Sequence, residues 1–403
     1  MRKSTGVVVG AAVAVLAVAV GGAVLVRDGA TGRRPDRTDA ADAWRVVERA
    51  FPVDDEWMGG PQVLLADPKR CFTGFGRDGL STAYWVGTGD CATAEVVTPP
   101  KRPQGDYLPG DDRNGILSAV PARGGGYLAI AKHTFANDAY AYNTSILRGD
   151  GTPEGWRTVA RFDAADGEDP QASHVGPIAL TTTRDGYVAV GRDNDRPLAW
   201  LSADGVSWRA VDLPADGAVG VGVNAVAAAP DGRLVAIGTS ARPNEHYAIR
   251  TWVSANGGRT WQTGTIPDLG GDPQLPLLLH DGRRFVALGG ADGDLRGAAL
   301  VLTSPDGQHW QRDEAAANAR MITAATVLPG GELLAVSSTG EEQETEESGG
   351  TRECAAAWHS SPDGWIREEL GCLGVPTSLT VLKDGRVAAV HWTTLFLRAA
   401  KTP

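Results

Sequence analysis

No long amphipathic heptad pattern runs through this chain of 403 residues, which turns the reading away from long helices. Basic residues are in deficit: 38 Lys and Arg stand against 49 Asp and Glu, for a net charge of -11. A protein that grips a nucleic-acid backbone needs a basic face, so that partner class is excluded. Cysteine is scarce, four residues in all, and no two have the short separation of about two to four residues that zinc sites use. The histidines His133, His174, His246, His280, His309, His359 and His391 show neither His-x-His nor His-x-x-x-His spacing. Neither a metal nor a cofactor is expected. The glycine-rich stretch 124–126 lacks the Lys and the following helix of a phosphate loop, and reads as a turn.

What is abundant is turn chemistry. Gly (52) and Pro (24) are frequent and Trp (12) outnumbers Tyr or Phe, a composition that favours many short strands joined by turns. One local feature stands apart. After Arg2 and Lys3, residues 6–26 carry no charge, and they number roughly the 20 that a helix needs to cross a hydrocarbon core. Residues 1–27 are therefore read as a signal anchor or, through the small residues Gly21-Gly22-Ala23, as a cleaved signal peptide. Either exports the remainder. With no cysteine nearby, lipid attachment is excluded, and residues 28–42, rich in Gly, Arg, Asp and Thr, read as a tether.

The cysteines agree with export. Cys71 with Cys91 and Cys354 with Cys372 are pairs close in sequence. Local pairing is the simplest of three possible connectivities, and disulfides persist outside the cytoplasm.

A repeat dominates the rest. Short β-rich runs occur at 70–75, 126–130, 186–191, 232–238, 284–289, 332–336 and 385–390, about 45 to 60 residues apart, the period of four-stranded propeller blades. Asp185-Gly186, Asp231-Gly232, Asp281-Gly282, Gly330-Gly331 and Asp384-Gly385 precede most of them. Those dipeptides predict two-residue hairpins joining the first and second strands of each blade. The preceding apolar runs, such as 223–229 and 275–279, suit strands walled in by neighbours. The expected fold is thus all-β, a β-propeller of seven four-stranded blades behind an N-terminal hydrophobic helix.

A second signature follows four of these runs. It reads Ser202-Ala203-Asp204-Gly205-Val206-Ser207-Trp208, Ser254-Ala255-Asn256-Gly257-Gly258-Arg259-Thr260-Trp261, Ser304-Pro305-Asp306-Gly307-Gln308-His309-Trp310 and Ser361-Pro362-Asp363-Gly364-Trp365. These copies resemble the Asp-box, or bacterial neuraminidase repeat, of sialidases and related propellers. Asn256 replaces the Asp in one copy, the others are shorter than the full spacing, and 150–156 is a degenerate fifth. The chemistry needs no family: Ser and Asp side chains bond to turn backbone, Gly supplies the unusual φ, and Trp covers the hairpin. The resemblance implies a scaffold between roughly residues 60 and 400. The Arg-Ile-Pro-like motif of sialidases is absent, so no catalytic residue is carried onto this chain.

Counting strands from residue 60 leaves the last blade one short. Residues 43–48 resemble the outer strand 207–212, and are expected to pair with that blade and close a propeller over 43–403; a helix over 38–51 is the competing reading. The acidic run 341–348 reads as a solvated insertion, and Arg148-Gly149-Asp150 as a chance match to an adhesion tripeptide. Two functions follow. One is a non-catalytic, extracytoplasmic binding or scaffold module for a protein or glycan, membrane-anchored or secreted, with Arg113, Asn114, His174, Asn224 and Arg320 expected near its mouth. The other is a divergent glycoside hydrolase, which requires paired carboxylates roughly 5 to 10 Å apart.

Overall fold

Strands such as Leu234–Ala241 are buried on both faces over most of their length, so they need a packing partner on each side. The alternation of side chains supplies it. Leu234 and Ala236 join a core with Val188 and Val190, whereas Val235 and Ile237 join a second core with Phe285 and Ala287. One strand thereby serves two cores, as a period of two dictates.

The computed structural model describes residues 44–53, 59–67, 69–78, 81–97, 115–135, 138–150, 155–163, 174–241, 247–292, 297–313, 319–344, 351–362 and 364–400. The expected anchor (1–27) and tether (28–42) lie outside the described residues. Among the described residues there is no helix, and so none long and apolar enough to cross a membrane.

Among the described residues, twenty-eight strands form seven antiparallel units. The chain enters through β1 (Trp44–Val47). The first unit is β2 (Gly60–Ala66), β3 (Phe72–Asp78), β4 (Ser81–Thr88) and β5 (Thr93–Val97). The second is β6 (Gly115–Pro121), β7 (Tyr127–Phe135), β8 (Asp138–Gly149) and β9 (Arg157–Phe162). The third is β10 (His174–Thr183), β11 (Gly186–Asp193), β12 (Arg196–Ser202) and β13 (Arg209–Asp212). The fourth is β14 (Gly222–Ala228), β15 (Leu234–Ala241), β16 (Tyr247–Ser254) and β17 (Gln262–Thr263). The fifth is β18 (Gln274–His280), β19 (Phe285–Gly290), β20 (Ala299–Ser304) and β21 (Gln311–Arg312). The sixth is β22 (Ile322–Val327), β23 (Leu333–Glu344), β24 (Thr351–Ser361) and β25 (Gly364–Gly371). The seventh has only β26 (Ser378–Val381), β27 (Val387–His391) and β28 (Thr394–Arg398) of its own. Its fourth strand is β1, antiparallel to β28 with Trp44 opposite Arg398 and Val47 opposite Leu395. A strand, not a helix, forms there.

The first strands of successive units lie side by side, and β2 lies against β26 as well as against β6. This arrangement is a β-propeller scaffold. Side-chain oxygens stitch these neighbours together: Leu64 N donates to Ser378 Oγ (2.9 Å), Leu180 N to Ser118 Oγ (3.2 Å) and Thr323 Oγ1 to the Pro376 carbonyl (2.7 Å). Six of the seven first strands also break register by a bulge. Opposite four of those bulges stands a glycine on the second strand. A Cβ at Gly76, Gly191, Gly238 or Gly289 would collide with the carbonyl oxygen of Gly60, Gly176, Gly222 or Gln274. The glycine that recurs on these four second strands is there for that close approach.

The turns between first and second strands correct one expectation. Two-residue loops occur at 184–185 and 282–283, but those at 123–125, 230–232, 329–331 and 383–385 have three residues, closed by Ala122 N, Ala229 N, Leu328 N and Leu382 N on the carbonyls four positions later. Their third residues, Gly125, Gly232, Gly331 and Gly385, have φ between +82° and +100°. A type I turn followed by a left-handed glycine matches the strand twist as well as a primed two-residue turn does. The Asp before the glycine serves the turn: Asp231 Oδ1 and Asp384 Oδ1 accept Arg233 N and Arg386 N.

Disulfides join Cys71 to Cys91 and Cys354 to Cys372. Such bonds persist in oxidising compartments, which places the folded part on the extracytoplasmic side.

The join between the chain's two ends carries a buried charge. Glu368, 6% exposed on β25, accepts Trp44 Nε1 (2.8 Å), Arg398 Nε (2.9 Å) and a second Arg398 nitrogen (2.6 Å). His359 Nδ1 stands 3.3 Å from the same carboxylate, near enough for an ion pair but outside hydrogen-bond alignment. Burial raises the Glu368 pKa, yet His359, Arg398 and Trp44 outweigh it and hold the carboxyl well below its usual range. A depressed carboxylate contributes stability above its unfolded pKa, about 4.3, and loses it as pH falls towards the folded value. Urea unfolding should therefore show a midpoint that falls as pH drops below about 4.3. Glu368→Gln should cost about 3–5 kcal/mol at neutral pH, because Arg398 is left buried without its counter-charge, and should flatten that acid slope.

Candidate functional site

An antiparallel meander sends its loops to two ends. Turns between first and second and between third and fourth strands share one end; turns between second and third strands, with the connections to the next unit, share the other. The Asp-box-like segments lie at the first end, between β12 and β13, β16 and β17, β20 and β21, and β24 and β25.

Three of them build one hydrogen-bond pattern. Ser202 Oγ donates to Asp204 Oδ1 (3.0 Å) and accepts Gly205 N (2.8 Å), while Asp204 Oδ1 accepts Val206 N and Ser207 N (both 2.8 Å). Ser304, Asp306 and Gly307 repeat it, with Gln308 N and His309 N on Asp306 Oδ1. In the longer copy the Asn256 amide oxygen accepts Ser254 Oγ and Thr260 N, and its amide nitrogen donates to Thr260 Oγ1. Trp261 and Trp310 each donate Nε1 to a glycine carbonyl of their own turn, Gly258 or Gly307, at 3.0 Å; Trp208 packs on Tyr187. The fourth copy differs: Ser361 pairs with Gly364 and donates Oγ to its carbonyl, Trp365 lies within β25, and Asp363 is outside the described residues. In the first three, the turn glycine presses on the preceding unit. A Cβ at Gly205, Gly258 or Gly307 would strike Leu128, Leu201 or Val235.

These carboxylates are already committed. The backbone N–H groups of Ser207 and Val206, with the Ser202 hydroxyl, pull the Asp204 carboxyl down to about 2. Asp67, Asp90, Asp231, Asp306, Glu368 and Asp384 are displaced downward too, since hydrogen bonds to their ionised oxygens outweigh what burial raises. For these seven the direction is opposite to the one a glycosidic acid requires.

The second end is chemically different. Tyr142, 7% exposed, meets the His174 ring edge-on at 5.3 Å, with Lys132 Nζ 4.8 Å and Arg192 Cζ 5.9 Å from its ring centroid. Burial, and then the Arg192 charge, lower the Lys132 pKa. The place is held by parallel pairing of His174 with Tyr142, and by reciprocal bonds between His174 and Asn194. Three acids at this end have their own donors: Asp193 pairs with Arg196, Asp216 accepts Thr263 Oγ1, and Asp272 accepts Tyr247 N. Among the described residues no three His, Cys, Asp or Glu gather as a metal site.

Trp392 belongs to the same end. It and Asn194 each take the first place of a two-residue turn, between His391 and Thr394 or Asp193 and Arg196, with φ of +52°. Asn tolerates that conformation, whereas a bulky side chain there is strained. Trp392 is also 39% exposed.

Of the residues expected near the mouth, His174 is at this end, Asn224 is the bulged residue of β14, and Arg320 lies against Gly340. Arg113 and Asn114 are outside the described residues. Lys132, Tyr142, Arg192 and Trp392 were not singled out from sequence; a Trp where a hairpin wants Asn or Gly was the available signal.

No family model matches the chain. No curated protein matches it by sequence either. Among solved structures, YCF48 bound to a D1 peptide is 12% identical over 89% of this chain and 96% of its own, with a TM-score of 0.51. The WD40 β-propeller domain of Doa1 is 9% identical over 85% and 94%, with a TM-score of 0.49. The Trypanosoma rangeli sialidase is 16% identical over 70% of this chain and 52% of its own, with a TM-score of 0.44. At such identities the likeness is one of fold.

Two substitutions separate the two ends. Ser254→Ala leaves Gly258 N buried without an acceptor and should cost about 1–3 kcal/mol in chemical denaturation. Trp392→Gly relieves a left-handed side chain and should raise stability by about 1 kcal/mol in the same assay.

Proposed function

We propose that this chain is a seven-bladed propeller of the Asp-box type, closed by β1 on β28, that acts outside the cytoplasm as a non-catalytic binding or scaffold module. Residues 1–27 would hold it at a membrane or, if cleaved, release it, with 28–42 as the tether. Its ligand, a protein or a glycan, is received at the end where second and third strands turn. The observation that carries this reading is the contrast between ends. Carboxylates at the Asp-box end are bonded into turns and displaced downward, whereas the other end displays half-buried cations, Tyr142, His174 and an exposed, strained Trp392. Cationic groups held against an aromatic ring, and an exposed tryptophan, suit recognition, and backbone strain concentrates at functional positions. YCF48, of similar fold, was solved with a peptide bound.

The test is a screen of glycans, envelope-protein peptides and glycoside substrates on the purified chain, reading binding and turnover together. Binding without turnover, weakened several-fold or more by Trp392→Gly despite the gain in stability, is the expected result. Turnover abolished by replacing one Asp or Glu at the ligand-facing end would establish a glycoside hydrolase instead.

A further inference from the structure

Several arginines of this acidic chain have carboxylates beside them: Arg196 has Asp193 and Asp212, Arg233 has Asp231, Arg386 has Asp384, and Arg398 has Glu368. Lys132 and Arg192 are arranged differently. Both are half-buried, each lies within 6 Å of the Tyr142 ring centroid, and among the described residues neither has an acidic partner. The fold brings like charges together there on purpose-built register. Lys132 on β7 is opposite Gly115, and Arg192 on β11 is opposite Gly176. They occupy equivalent positions in consecutive units, and Arg77, opposite Gly60, holds that position in the first unit. The fourth and fifth units place Thr239 and Gly290 there. A basic residue in one register of three successive units, in a chain of net charge -11, is not general surface chemistry.

We infer that Lys132 and Arg192 form an oxyanion-binding site, for a carboxylate or phosphate group, beside Tyr142 where the second and third units meet. Both cations contact the ring of Tyr142, whose own position is fixed by strand pairing on β8 and by the His174 edge. The Arg192 guanidinium offers the planar fork that two oxygens of one anion fill, and the Lys132 ammonium adds a point charge. An occupying anion would remove the mutual repulsion that the empty arrangement carries. Carboxylate and phosphate share this chemistry, and the assay tells them apart. The inference deepens the binding reading of this end and rests on it.

The experiment is calorimetric titration of the purified chain at low ionic strength with inorganic phosphate, D-glucuronate and, as the neutral control, D-glucose. One or both anions should bind, glucose should not, and Lys132→Ala or Arg192→Ala should weaken binding at least tenfold while Arg259→Ala, at the Asp-box end, leaves it unchanged. Phosphate alone or glucuronate alone identifies the ligand class. Because a variant can misfold, the unaltered protein supplies a second readout. Reductive methylation of Lys132, followed by mass spectrometry, should slow several-fold in the presence of the bound anion, while exposed Lys69 keeps its rate. Absence of anion binding, or binding that neither substitution weakens and that does not protect Lys132, would overturn the site. In that event, capture of a neutral glycan or an uncharged peptide would leave the broader binding function standing.

Discussion

Each unit of this structure has two apolar faces, and no unit can cover both by itself. Val235 and Leu234 are neighbours in sequence yet belong to different cores, and the same division runs from Phe72 and Trp85, which pack with Leu395 and Leu397 of the last unit. Stability is therefore a property of the junctions between units. The junction between the chain's ends has no covalent continuity, and here a strand from one end and a carboxylate network supply what connecting loops supply elsewhere. Glu368 binds Trp44 of β1 and Arg398 of β28 from a third position on β25. A buried ion pair is often neutral against an apolar replacement, so its value lies in register: only one alignment of β1 sets Trp44 opposite Arg398.

The Asp-box-like turns serve the same need at the other junctions. Their internal bonds hold a glycine at φ near +80°, and that glycine sits against Leu128, Leu201 or Val235 of the unit before. A larger residue would force the units apart. This explains why a turn motif can recur without any shared chemistry at the ligand end. It is a spacer fixed by hydrogen bonds, indifferent to what the opposite loops recognise.

Much of this was readable in the sequence because it is written as period and composition. Alternating apolar runs at regular spacing, with turn residues between them, leave few all-β arrangements, and Ser254, Asn256 and Thr260 announce their own bonds. Turn lengths were less legible. Asp-Gly marks the place of a turn, but the closing bond, as from Ala229 N to the Arg233 carbonyl, adds a residue that the dipeptide does not reveal. The cation pair was invisible for a different reason. Lys132 and Arg192 lie 60 positions apart by number and come to one tyrosine ring only because they hold equivalent positions in adjacent units, which needs the register of β7 and β11 to be known. The Glu368 network joins residues more than 300 positions apart, and no local pattern encodes it.

The edge position of β1 also has a mechanical side. Any load entering through the residues ahead of Trp44 reaches the last sheet first at the Trp44 and Arg398 pair, where the indole is moored to Glu368. Tension would act on that mooring before the remaining rungs to Val47 and Leu395. Should all four rungs part, β28 becomes a bare edge able to accept another strand. Traction applied ahead of Trp44 would thus be registered as an opened seam.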